Sequence, residues 1–250
     1  MKDEKVVKEF FRNPFAVDYI KYCDYITRLA VTRISASCEM IEDLLKRRVK
    51  GDTDGYTDEI LAVCRDLVRI SELSTVLASQ DDDIVITDID FFLDDFASGC
   101  KNALGDKADV KLDEKSYSFV KTDENVLRFL MLNFVRKAAL AAKEGSFKIE
   151  IGAEKDESSV IIYMRTDMDF SSDVDDMHEN DKLLDSYSDT VFDIIAERLG
   201  VSYETNGSLM KIIIMKASDK GESLLRNPRL HYDDGTFSTY NIMLGDLSGQ

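Results

Sequence analysis

Apolar or small residues recur at Ile20, Cys23, Ile26, Ala30, Ile34, Ser37, Ile41 and Leu44. Steps of three and four put them on one helical face, which predicts a helix over 14–48. "GDTDGY" at 51–56 breaks that pattern with two glycines and two aspartates. Thr57 is a candidate cap for a second helix, with Asp58 and Glu59 in its first turn. Ile60, Val63, Leu67, Ile70, Ser74 and Leu77 then follow in the three-four rhythm of a heptad seam. Two helices joined by a short loop make an antiparallel helical hairpin. A single hairpin covers only part of its apolar face, and two of them make a four-helix bundle in a dimer. The expected dimer interface is Ile60, Val63, Leu67, Ile70 and Leu77. The competing arrangement folds the hairpin against the chain's own C-terminal half.

After "SQDDD" the period changes. "IVITDID" (84–90) reads as a strand and "FFLDDFASGCKNAL" (91–104) as a helix. "ADVKLD" and "YSFVKT" read as short strands, and 124–143 as a long helix. "FKIEIGAE" and "SSVIIYMR" alternate and are rich in β-branched residues, which predicts strands. Residues 167–186 are a polar, acidic loop. A helix over 187–200 is closed by Gly200. "VSYET" and "LMKIIIMKA" are the last strands, turned by "NGS". The second half is thus an α/β sandwich, an antiparallel or mixed sheet with helices on one face. The fold class is α+β, with expected parts 1–82, 83–217 and a C-terminal extension, 218–250. In that extension, "RLHYDDGTFSTYNIML" suggests a hairpin around "DDG" that adds to the sheet or binds a partner by strand addition.

The 250 residues carry a net charge of −17, which argues against a general nucleic-acid or anionic-membrane surface. "KRRVK" at 46–50 is a local exception, read as cations favouring a helix C-terminus. No apolar run is long enough to span a bilayer, and "MKDEKVVKEFF" lacks the apolar stretch of a signal peptide. A cytoplasmic location is expected. Cys23, Cys38, Cys64 and Cys100 form no CxxC pair, so reduced, partly buried thiols are expected and a metal site is not.

"KTDENVLRFLMLNFVRKAALAAKEGSFKIEI", set in this order of elements, resembles the core of a bacterial sensor histidine kinase. Residues of about 14–217 carry the resemblance. The hairpin is similar to the dimerisation and phosphotransfer domain. Residues of about 84–217 are similar to the ATPase domain shared with Hsp90, gyrase and MutL. Asp123, Leu127, Leu132, Asn133, Ala138 and Gly145 fit the family pattern. The resemblance implies a nucleotide pocket whose remaining polar residues here are Asn133, Lys137, Thr166 and Asp167.

Each motif departs from that family. A second asparagine, the magnesium ligand, is replaced by Lys137, whose protonated amine offers donors and no lone pair. The family's phosphate-binding lysine falls on Leu140. The adenine-reading aspartate aligns with Thr166 or Asp167, and no register supplies the glycines of that loop. "SDVDDMHENDKLLDSYSDT" has no glycine to cradle phosphate, and 167–181 holds seven acids and no Lys or Arg. The phosphoacceptor position is near Arg28 or Leu29, yet no histidine precedes His178; His178 and His231 read as incidental surface residues.

The expected function is a non-catalytic, histidine-kinase-like, dimeric interaction module in two-component-type signalling, with no catalytic residue and no cofactor. ATP and magnesium binding is expected to be weak or absent. A response-regulator receiver domain or a histidine kinase is the expected partner, with Arg28 and Arg33 suited to an acidic surface. Those arginines have a plainer reading, intrahelical pairing with Asp24 or nearby acids. The alternatives are a histidine phosphotransferase-like protein, a kinase or ATPase with unusual nucleotide ligands, and a purely structural dimer.

Overall fold

The computed structural model describes residues 84–143, 145–168, 200–217 and 238–247, with single positions between 20 and 76 and Ala196. The chain divides into two compact units, Met1–Ser79 and Gln80–Gln250.

In the first unit the described positions are helical. Asp24 binds the two helical stretches together. Its carboxylate accepts from Ser71 Oγ at 2.6 Å and from Arg28 Nε at 2.9 Å. The intrahelical pairing of Arg28 is therefore present, and Arg33 lies outside the described residues. Val31, Ser35 and Cys38, in step with Asp24, are buried, as are Cys64, Val68 and Ser71. The larger aliphatic residues of the periodic stripes are instead exposed: Ile34, Ile41, Ile60, Val63 and Leu67. Ile70 and Leu77 lie outside the described residues.

The second unit begins with β1 (Val85–Asp88) and α1 (Ile89–Leu104). The helix starts two residues earlier than the sequence reading placed it. Asp88 is the reason: its Oδ1 accepts from the amides of Asp90 and Phe91, at 3.0 and 3.2 Å, and so caps the helix. Gly105, at φ 55°, ends α1 in the left-handed region that favours glycine. There follow β2 (Ala108–Leu112), β3 (Phe119–Thr122) and α2 (Glu124–Ala141). Asp123 caps α2 through the amides of Asn125 and Val126. Then come β4 (Phe147–Lys155), β5 (Ser159–Thr166), β6 (Ser202–Asn206) and β7 (Leu209–Met215). Before β6, the Val201 amide donates to the Ala196 carbonyl at 3.0 Å across Gly200 at φ 62°. That is the helix-ending bond expected at this glycine.

Five strands form a mixed sheet in the order β2-β4-β5-β7-β6, with β2 parallel to β4 and the other pairs antiparallel. β1 and β3 form a separate antiparallel pair, joined to the end of β7 by a bridge between Val120 and Lys216. One face of the large sheet is apolar and buried by α1 and α2. It carries Phe147, Ile149 and Ile151, then Val160, Ile162 and Met164, then Met210, Ile212 and Ile214. The opposite face is mixed: Glu150 stands beside Arg165 on neighbouring strands, while Ile161 and Ile213 pair there half-buried and Met215 is exposed. The buried face follows the two-residue alternation of strands packed against helices.

The C-terminal extension behaves differently from its sequence reading. Residues 238–247 do not add to the sheet. They form a short helix, α3 (Thr239–Leu244), and a 3₁₀ turn, Gly245–Leu247, which pack on α1 and α2. The "DDG" segment lies outside the described residues. No helix among those described is long and apolar enough to cross a membrane.

Candidate functional site

α2 supplies two of the four expected pocket residues. Asn133 and Lys137 stand one turn apart and are both half-buried. Around them the helix is buried on almost every side, including Leu130, Leu132, Phe134 and Ala138. Leu140, where the resemblance would place a phosphate-binding lysine, is also half-buried.

β5 puts Thr166 and Asp167 on opposite faces. Its buried residues alternate as Val160, Ile162, Met164 and Thr166, so Thr166 faces the helices. It is 6% exposed, lies opposite Ile149 in the ladder, and accepts from the Met168 amide at 3.2 Å. Asp167 is exposed, and its Oδ1 accepts from the Lys148 amide at 2.8 Å. The strand end thus turns a hydroxyl, not a carboxylate, toward the helix layer. His178 and His231 lie outside the described residues.

These groups do not fit a magnesium–nucleotide pair. An asparagine oxygen and an ammonium one turn apart give a divalent cation one ligand and one repulsive neighbour. A threonine hydroxyl lacks the fixed negative acceptor that an adenine amino group meets at an aspartate. The carboxylate that could provide it holds a backbone amide on the neighbouring strand.

Sequence reasoning missed another polar cluster, on the outer side of α2. Arg128 and Arg136 are buried, and both are held by residues of α3. A helix with arginines eight apart amid an otherwise apolar run gave a signal that something covers that side too. The four cysteines form no disulfide: Cys38, Cys64 and Cys100 are buried and Cys23 is half-buried. Burial raises the Cys100 thiol well above its ordinary range, against the smaller opposing pull of Arg128. It is a packing residue, not a nucleophile.

No family model matches the chain, and no curated protein does. Solved structures do. Full-length ShkA in complex with AMPPNP matches with TM-score 0.53 and 12% identity, over 78% of this chain and 45% of that one. The ATP binding domain of PrrB from Mycobacterium tuberculosis matches with TM-score 0.41 and 19% identity, over 55% of this chain and 100% of that one. Histidine kinase ThkA, in complex with response regulator protein TrrA, matches with TM-score 0.46 and 13% identity, over 79% and 62%. The likeness is one of fold. Over the matched part the chain shares the fold of that full-length histidine kinase structure, ShkA.

Proposed function

We propose that this chain is a non-catalytic, histidine-kinase-like module that dimerises through its helical unit and docks a signalling partner. The observation that carries the reading is the end of β5, where Thr166 faces the helices and Asp167 is tied to Lys148. It adds to Lys137 at the magnesium position and to the absence of any histidine before His178. An active kinase needs every one of these parts. A scaffold needs only the fold.

The dimer is supported by the exposed stripe. Ile60, Val63 and Leu67 are 45%, 55% and 47% exposed in the single chain. Their three-four spacing puts them in one row, as a seam between two copies requires. The Ser71–Asp24 bond agrees with an antiparallel hairpin beneath that seam. In this reading the partner is a response-regulator receiver domain or a histidine kinase, met on the helical unit. Arg28 is not the sole anchor in this reading, because it is already paired with Asp24.

Incubation with labelled ATP and magnesium tests the reading. No label on the chain is expected. Acid-labile, base-stable label would overturn it.

A further inference from the structure

Among the described residues of the C-terminal unit, the exposed large apolar side chains are Phe91, Leu112, Tyr117, Phe119 and Met215. All but Leu112 stand at or beside the β1–β3 pair. Val120 is buried, so its neighbours Phe119 and Lys121 turn to the outer face. Phe119 lies opposite Asp88 in the β1–β3 ladder, and the Val120–Lys216 bridge sets Lys121 beside Met215. Two residues back along β7, Ile213 pairs with Ile161 of β5, both half-buried on the same face as Met215. An apolar strip thus crosses β3, β7 and β5. Phe91 adds to its end from the first turn of α1, where its amide donates to the Asp88 cap at 3.2 Å. Tyr117 sits at φ 51°, in the left-handed region unusual outside glycine. The Asp90 carboxylate holds it there, accepting from the amides of Ser116 and Tyr117 at 2.8 and 2.6 Å. The Tyr117 ring is 77% exposed, so this strained backbone adds no side chain to the core and leaves the ring available for contact.

We propose that this strip is a docking surface for a basic amphipathic helix of another protein. Apolar surface gathered in one place on a sheet face marks a site of interaction, whereas scattered single residues do not. The sign of the partner follows from the rim. Asp88, Asp90, Asp94 and Glu114 lie on the elements that carry the aromatic residues, against Lys115 and Lys121, and Lys115 is already paired with Asp94 at 3.3 Å. Arginine and lysine suit both parts of such a surface, the carboxylates by charge and the exposed ring faces by cation–π contact. A second copy of this chain, at net charge −17, would set the same carboxylates against each other, and an anionic bilayer or nucleic acid has the same wrong sign.

The form of the partner follows from the sheet. Its inner face already receives α1 and α2 on the alternate residues of these strands. A helix with one apolar stripe can lie on the outer strip in the same way, its basic side toward the rim. The surface is separate from the helical seam, and it stands whether or not the helical unit dimerises.

Fluorescence anisotropy with the full chain tests the proposal. The probe is a labelled amphipathic model helix of leucine and arginine, and its twin carries glutamate in place of arginine. The arginine helix should bind and the glutamate twin should not. Phe91→Gln combined with Phe119→Thr keeps the net charge and suits a helix and a strand respectively. It should weaken binding of the arginine helix by about 10-fold or more, as the loss of aromatic anchors does. Tyr117→Gly, which suits a positive φ, should weaken it as well without lowering the urea midpoint. Leu112→Thr, away from the strip, should bind as the wild type does. Four results would overturn the surface. One is no binding of the arginine helix to the wild type. Another is equal binding by the wild type and both strip variants, which would reduce the effect to net charge. The third is equal binding of the glutamate twin. The last is a fall in the oligomeric mass of the strip variants, which would put a second copy on the strip.

Discussion

Leu67→Lys should dissociate the dimer. Leu67 is 47% exposed in the single chain, so a second copy can still cover about half of the side chain. Full burial of a leucine stabilises by roughly 1.5–3 kcal/mol, so the remaining half is on the order of 1 kcal/mol in each copy. Lysine forfeits that amount twice. It also brings two ammonium groups to an apolar seam, although their flexible stems let the charges reach toward water. A net loss of about 3 kcal/mol is a rise in Kd of roughly 10²-fold. Sedimentation at tens of micromolar should find wild-type dimer and Leu67→Lys monomer. Phe91→Lys, which changes another exposed apolar residue, 59% exposed in the C-terminal unit, should leave the dimer intact. Circular dichroism should show unchanged helix content in both variants. A dimeric Leu67→Lys, or a monomeric wild type at that concentration, would refute the seam.

Gly152→Ala should destabilise the C-terminal unit by about 1–3 kcal/mol, the usual penalty of overpacking. A Cβ there would collide with the Tyr163 hydroxyl and lie 3.0 Å from Asp113 Cβ, so an unchanged denaturant midpoint would contradict this packing. Tyr163 is pushed up to about 12, first by burial and then by its hydrogen bond to Asp113. The folded state holds that proton after the unfolded chain has lost it, so this contribution is complete below about pH 10 and fades between about pH 10 and 12. The fall in stability over that window should be shallower in Tyr163→Phe, and equal slopes would refute the assignment. Neither the wild type nor Lys137→Asn should autophosphorylate, since one restored ligand leaves the threonine, the glycine-free loops and the missing histidine as they were; label in either would refute this.

The central strands were legible because β4, β5 and β7 keep one face apolar, and the alternation of Val160, Ile162 and Met164 needs no tertiary information. The same parity, continued two residues, puts Thr166 on the helix side and Asp167 on the other, a distinction that a motif alignment does not carry because it compares letters and not faces. The start of α1 was misplaced because "TDIDFF" offers two aspartates with equal capping ability. Only the geometry of the β1–α1 turn favours Asp88. α3 was not legible at all. Its six residues are too few for a periodic signal, and its place is fixed by Gly99, Arg128 and Arg136, which are distant in sequence. In the helical unit, apolar spacing picked out Ile60, Val63 and Leu67. The positions buried within one chain include Cys64, Val68 and Ser71, a neighbouring row that mixes polar with apolar residues and so gives a weaker periodic signal.

Thermal unfolding with and without millimolar MgATP tests the central claim most directly. Each hydrogen bond to a charged group that the pocket lacks is worth roughly 1.5–3 kcal/mol. Two such losses weaken binding by about 10²-fold or more, and a ligand stabilises a fold only when its concentration exceeds its Kd. The unfolding midpoint should therefore not move. A rise of several degrees with MgATP that disappears in Lys137→Ala would show a working nucleotide site and contradict the account.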